Sequence, residues 1–172
     1  MPHATTSLMQ AAWVVNDLEQ SIHRWVDTLR VGPFFVVPHC KVDKVQYRGA
    51  PATLDFSAAL AQAGPMQVEL IQQHNDGPSA FRDVFKKGQE GFHHCCVMTN
   101  TFEADLERHR SAGSIAATQG FFGDMQYAYV DTRARLGYML EIIEDRDSIK
   151  VLFKMIADAA VDWDGSTPIR YL

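Results

Sequence analysis

The stretch Gly91–Glu103, GFHHCCVMTNTFE, has a counterpart earlier in the chain at Gln10–Glu19, QAAWVVNDLE. Setting His94 on Gln10 places Val97 on Trp13, Asn100 on Asn16, Phe102 on Leu18 and Glu103 on Glu19. Each copy is an apolar run, then Asn-x-x-Glu, then a helical pattern. Asn favours a helix N-cap because its side chain accepts from a free amide three residues on, while the Glu reaches back to the cap's own amide. The pattern therefore predicts a strand running into a helix capped by Asn16 in one copy and by Asn100 in the other. A second matched pair, Val68–Gln72 (VELIQ) and Leu140–Glu144 (LEIIE), sets an acidic residue inside a short β-like run. The chain is read as an internal duplication.

Composition narrows the class. With 172 residues and 47% hydrophobic content, the chain can bury a core without disulfides or a structural metal. A net charge of -5, with basic residues scattered and only Lys86 and Lys87 paired in sequence, argues against nucleic acid or an anionic membrane as partner. No uncharged apolar run approaches the roughly 20 residues that span a bilayer, and MPHATTSLMQ does not read as a secretory leader, so a cytoplasmic protein is expected. Three cysteines without a CxxC spacing suggest reduced thiols.

In chain order, Leu8–Val15 reads as a strand and Asp17–Leu29 as a helix with Leu18, Ile22, Trp25 and Leu29 on one face. Phe34–Val37 begins a strand that Pro38 interrupts, which predicts an edge strand or a bend. A hairpin is expected up to Pro51, then strands at Thr53–Leu60 and Pro65–Gln73, and a short helix over Ser79–Lys87. The second copy repeats the order: strand 92–98, helix 101–112, then strands 114–120, 125–131 and 138–144. The first copy is the longer, and its hairpin and Ala58–Gly64 are expected to absorb the extra length as loop. Leu152, Met155, Ile156, Ala159, Ala160 and Trp163 fall at helical spacing, followed by an extended tail. The fold class is thus α+β, two βαβββ modules at residues 7–74 and 91–145 within a single domain 1–172, with a C-terminal helix and tail over 146–172. The apolar stripe of that last helix needs a cover, from this chain's body or from a partner chain, and a homodimer is expected.

Strand periodicity then assigns faces. Gln10, Ala12 and Val14 point one way and Ala11, Trp13 and Val15 the other, and the bulkier set belongs under the helix. The same count places His94 with Cys96 and Met98, Glu69 with Gln67 and Ile71, and Glu141 with Met139 and Ile143. Each of four strands offers one polar ligand type, Gln10, Glu69, His94 or Glu141, among apolar neighbours. Two buried carboxylates are strongly disfavoured unless paired, protonated or bound to a metal, so convergence of the four would point to one divalent cation.

The duplicated pattern, the segments VVNDLEQSIHRWVDTLRVGPFFV and GFHHCCVMTNTFEADLERHRSAG, and the closing YVDTRARLGYMLEIIE resemble the vicinal oxygen chelate superfamily over residues 8 to 145. That superfamily includes glyoxalase I, methylmalonyl-CoA epimerase and bleomycin resistance proteins. The resemblance implies a curved mixed sheet with an open metal-binding cleft, with Gln10, Glu69, His94 and Glu141 at the ligand positions. The order Gln, Glu, His, Glu is similar to a glyoxalase I set. The epimerase pattern has His first and Gln second, and a further Glu base for which 48–55 offers only Asp55. Extradiol dioxygenases use two His and one Glu, which Gln10 does not match.

One imidazole and three oxygen ligands leave two octahedral positions open, which suits Zn, Ni, Co, Mn or Fe. A cation there would stabilise charge developing after a proton leaves the carbon beside a carbonyl, and Glu141 or Glu69 could move that proton. The expected function is a metal-dependent isomerase, epimerase or lyase acting on a small carbonyl compound or thioester. The alternative is a binding module of the same fold that sequesters a small molecule. His93 is read as a hydrogen-bonded structural residue on the opposite face from His94, and Cys96 as a small apolar side chain near the site. Phe34, Phe35, Phe121 and Phe122 are candidates for lining a pocket. Arg133 and Arg135 are candidates for a substrate anion, with a solvated hairpin turn as the plainer account.

Overall fold

The computed structural model describes residues 7–172. The first half runs β1 (Gln10–Val14), α1 (Leu18–Leu29), β2 (Phe34–Val37), β3 (Val42–Tyr47), β4 (Ala50–Pro51), β5 (Phe56–Ala63) and β6 (Met66–Gln73). After the short α2 (Ala80–Val84), the second half runs β7 (Gly91–Thr99), α3 (Phe102–Ser111), β8 (Ala116–Phe122), β9 (Met125–Val130), α4 (Arg133–Leu136) and β10 (Met139–Glu144). The chain closes with α5 (Asp147–Ala160) and β11 (Ile169–Tyr171).

All strands join one sheet in the order β11-β2-β5-β6-β1-β7-β10-β9-β8-β3-β4. The two βαβββ units meet at the antiparallel β1–β7 pair, and within each unit the first and last strands run parallel. This is the mixed α+β sheet the duplication predicts. β2 and β3 are separated by four residues yet lie toward opposite ends of the order, so the sheet curls into a cup whose ends the chain itself links.

Strand alternation sorts the core into faces. Outside, α1 lays Leu18 and Ile22 over Val68, Leu70, Ala59 and Phe34, while α3 sets Phe102 over Val97, Val130 and Ile142. Inside the cup lies a third cluster that includes Val14, Leu60, Ile71, Tyr129, Met139 and Ile143. Burying such an aliphatic side chain contributes roughly 1.5–3 kcal/mol, so each face is held by its own set of residues.

Several local expectations are corrected. Asp17, not Asn16, caps α1, its carboxylate accepting from Gln20 N at 2.9 Å, while Asn16 Nδ2 donates to Glu90. The second helix starts after Thr101 with no side-chain cap, and its first turn is tied down where Thr99 and Thr101 bond Asp105. Ala58–Ala63 is paired strand in β5, and the extra length of the first half lies instead in the β3–β4 hairpin. That hairpin crosses to the other half and pairs β3 with β8. β2 ends at Val37, before Pro38, and is not an edge, because the tail strand β11 pairs with it in parallel. Residues 133–136 form a short helix rather than part of a hairpin, closed by Gly137 in the left-handed region at φ 84°.

α5 does not need a partner chain to cover its stripe. Ile149 and Ile156 are buried in the inner cluster, with Leu152, Phe153 and Ala159 packed beside them, and Val151 and Met155 are left outside. The helix therefore lies across the open side of the cup.

Candidate metal centre

The four ligand-type residues occupy equivalent places in the two halves. In the first, the strand partner of Glu69 is Ala12, and Gln10 stands two residues before it. In the second, the strand partner of Glu141 is Cys96, and His94 stands two residues before it. Because β1 and β7 are neighbours, the two arrangements face each other across the centre of the sheet, and all four side chains point into the cup. Gln10, Glu69, His94 and Glu141 are all buried.

His94 Nε2 lies 3.4 Å from Glu69 Oε2 and 3.3 Å from Glu141 Oε2. Neither approach is aligned as a hydrogen bond, and His94 Nε2 and Glu69 Oε2 are left as buried polar atoms without a partner among the described residues. Orphaned groups of this kind are costly unless something satisfies them. Gln10 Nε2 donates to Gln67 Oε1 at 2.8 Å, which fixes the amide and leaves its Oε1 free. One imidazole nitrogen and two carboxylates whose ligand atoms lie within 4.8 Å of one another fit a divalent cation, and Gln10 lines the same cavity beside them.

The imidazole is set by His93. The β1–β7 register pairs Ala12 with His94 but Trp13 with Phe92, so His93 is the extra residue of a β-bulge. The bulge cancels the alternation that would send His93 to the opposite face, and both rings are fully buried on the same side. His93 Nε2 lies 2.9 Å from Ala80 O, which can only accept, and its Nδ1 lies 2.9 Å from His94 Nδ1. Burial and the neighbouring His94 push the His93 pKa down to about 3, so the ring is neutral. A neutral His93 with its proton on Nε2 accepts at Nδ1. His94 must then donate from Nδ1, which turns the lone pair of Nε2 toward the two carboxylates.

Three like-directed lone pairs demand a positive charge between them. Without a cation that charge is a proton. Burial alone would lower the His94 pKa, but Glu141 and Glu69 more than reverse this and raise it to about 9. Burial pushes Glu69 up, while Glu141 stays low despite its burial because His94, Cys96 and Tyr129 stabilise its anion.

Glu69, Glu141 and Gln10 form the polar floor of a cavity of about 80 Å³. Its walls are Val37, Phe56, Leu60, Phe122, Met125 and Ile143, and α5 roofs it with Ile149, Leu152 and Phe153. Cys40 also lines it, its thiol pushed up to about 12 by burial and so held neutral. Tyr127 and Tyr129 reach in from β9; the Tyr127 hydroxyl is buried, without a partner among the described residues, and burial holds its pKa above the ordinary tyrosine value.

Other candidates fall elsewhere. Of the four phenylalanines only Phe122 lines the cavity: Phe34 packs under α1, Arg170 lies over the Phe35 ring, and Lys44 over the ring of Phe121. Arg133 is engaged by Asp131 at 2.8 Å and donates to Asp83 O, so it is a brace rather than a free anion site, and neither it nor Arg135 lines the cavity. Asp55, the one acid in the segment where an epimerase carries a second base, does not line the cavity either. Cys96 is fully buried between Gln10 and Glu141 on neighbouring strands, as a small side chain near the site. Sequence reasoning missed Cys40, Tyr127, Tyr129 and the roof of α5. Only the even spacing of Tyr127 and Tyr129 hinted that they share a face.

A profile of the Glyoxalase/Bleomycin resistance protein/Dioxygenase superfamily matches residues 9–129, and the chain belongs to that superfamily. No curated protein sequence matches it. Among solved structures it is similar to a hypothetical protein from Bacillus halodurans C-125, at 16% identity and TM-score 0.57 over 84% of this chain and 97% of that one. A variant Streptomyces coelicolor methylmalonyl-CoA epimerase in complex with 2-nitronate-propionyl-CoA matches at 14% identity and TM-score 0.54, over 84% and 97%. The Mycobacterium tuberculosis methylmalonyl-CoA epimerase matches at 14% identity and TM-score 0.53, over 87% and 97%. At these identities the likeness is one of fold. No helix of the described residues is long and apolar enough to cross a membrane.

Proposed function

We propose that the protein is a metal-dependent lyase or isomerase of the glyoxalase type, which moves a proton at the carbon next to a carbonyl. The observation that carries this reading is the pair of orphaned atoms, His94 Nε2 and Glu69 Oε2, converging with Glu141 on the floor of an apolar cavity. His94, Glu69, Glu141 and the Gln10 amide oxygen would hold the cation. When bound, it supplies positive charge to the carbonyl oxygen as negative charge develops there. Glu141 takes the proton from the carbon, the C–H pair moves toward the carbonyl oxygen, and Glu69 returns a proton. Tyr127 adds to the wall of the cavity, its buried hydroxyl still protonated at neutral pH. The apolar walls and the α5 roof lower the local polarity around the floor, which strengthens every one of these interactions.

The cavity also restricts the substrate. No lysine or arginine of the described residues lines it, and about 80 Å³ admits only a short group. An uncharged carbonyl compound or the acyl end of a thioester fits better than the malonyl carboxylate of the compound that names the neighbouring epimerases. The apolar lining also suits the second reading, a module that sequesters a small apolar ligand. Metal content and isotope exchange separate the two. The purified chain, incubated in D2O with short acyl thioesters and with glutathione hemithioacetals, is expected to hold one divalent ion in the cavity and to place deuterium beside the carbonyl. A folded chain with no ion in the cavity and no incorporated deuterium supports sequestration instead.

A further inference from the structure

His39, Asp55 and His74 form a second group of ligating side chains, where the turn after β2 meets the start of β5 and the end of β6. One ligand atom from each lies within 4.8 Å of the others. His39 Nδ1 is 2.7 Å from Asp55 Oδ1, and the His39 and His74 rings lie 4.5 Å apart between centroids. The cluster is separate from the cavity. His74 stands five residues along the chain from Glu69, about 16 Å of extended strand, and none of the three lines the cavity.

The three residues are held before any ion arrives. His74 N donates to Asp55 O at 2.8 Å, Asp55 N to Asn75 Oδ1 at 3.3 Å, and His39 N to Ser57 Oγ at 2.9 Å. The same buried Ser57 hydroxyl lies 2.7 Å from His74 Nε2 and so orients that ring, whose Nδ1 makes no hydrogen bond among the described residues. Partners of this kind commonly fix the tautomer and direction of metal-bound imidazoles. His39 is held at φ 46°, a left-handed backbone that non-glycine residues adopt infrequently, and its ring meets Asp55 where the turn after β2 passes the start of β5.

We propose that His39, Asp55 and His74 bind one transition-metal ion of the zinc, cobalt or nickel class, independently of the cavity site. Two imidazoles and one carboxylate are a borderline-soft donor set that disfavours Mg²⁺ and Ca²⁺, which take oxygen ligands. Binding replaces the direct His39–Asp55 contact with bonds to the ion, and water fills the remaining positions on the exposed side. The ion ties the turn between β2 and β3 to the two strands beside it. That turn is where the chain leaves the first half to build the hairpin that pairs with β8. Its role is therefore a staple on the link between the two halves.

The test is zinc stoichiometry on the untagged full chain, stripped with chelator and dialysed against buffered Zn²⁺. The wild type is expected to hold two ions, and the His39→Ala/His74→Ala double variant one, with a lower Tm gain on zinc addition. One ion in the wild type that survives the double substitution overturns this proposal and leaves the cavity site intact. One ion lost in the double variant but kept in His94→Gln upholds this site and overturns the cavity reading. No bound ion overturns both. Should the double variant not fold, Zn²⁺ titration of the His94→Gln variant decides, zinc being diamagnetic and so acting only on the rings it binds: the His39 and His74 imidazole proton signals shift if the site binds, and their indifference to saturating Zn²⁺ overturns it.

Discussion

The Nδ1 atoms of His93 and His94 lie 2.9 Å apart, although they are consecutive residues of one strand. An unbroken strand would point them to opposite faces, and the bulge at His93 brings them together. Through that contact the Ala80 carbonyl fixes the proton on His93, and His93 fixes the proton on His94. The position of one backbone carbonyl in α2 thereby decides which nitrogen of His94 is free to bind a cation.

Replacing His93 by Phe keeps an aromatic ring against Phe81 and Tyr129 but removes the acceptor for His94 Nδ1. Metal affinity in the cavity is expected to fall about 10–100-fold, the usual loss when a partner of a ligating imidazole is removed. Chelator competition measures it, and circular dichroism separates it from unfolding. Unchanged affinity would show that the pair does not set the tautomer.

Stability of the metal-free protein should peak near pH 6.5. His94 is raised to about 9 from 6.5, so its contribution is complete below 6.5 and is lost as pH rises through 9. His93 is lowered to about 3 from 6.5, so the unfolded chain takes up a proton that the folded chain refuses, and stability falls as pH drops from 6.5 toward 3. Bound metal replaces the proton at His94, so the alkaline limb should flatten when metal is added. Tm against pH with and without chelator tests this, and identical alkaline limbs would contradict it.

Glu141→Gln keeps an oxygen ligand of similar size and removes the base. Deuterium incorporation into a substrate should fall about 10²–10⁴-fold, the range of general-base catalysis, while the cavity still binds metal. Equal loss of both would make Glu141 a ligand alone.

Tyr127→Phe removes a buried hydroxyl that has no partner among the described residues. Stability in urea should be unchanged or rise by about 1 kcal/mol, because an unsatisfied polar group is removed. Turnover should fall if the hydroxyl orients substrate. A marked loss of stability would reveal an internal partner.

Ile156→Ala tests the roof. Ile156 is fully buried on the inner face of α5, so the substitution should cost about 2–4 kcal/mol and loosen the helix that roofs the cavity, which apolar dyes report. A cost below about 1 kcal/mol would mean that α5 is not docked across the cup.

The duplication, the strand faces and the four polar residues were legible from sequence because each depends on spacing. A period of two groups each of Gln10, Glu69, His94 and Glu141 with the apolar neighbours of its own strand, and the matched segments VELIQ and LEIIE relate Glu69 to Glu141. Helix caps were less legible. Asn16 and Asn100 had the right residue type, but Glu90 engages the first from a distant part of the chain, and a local Thr–Asp network replaces the second. The sequence by itself determined what each strand would bury and which polar groups it would carry there. Only the tertiary structure decided that the β3–β4 hairpin reaches the other half, that α5 closes the cup, and that His93 turns in beside His94. Those outcomes depend on pairings between residues far apart in the chain and on one bulged position, and a local pattern of apolar and polar residues encodes neither.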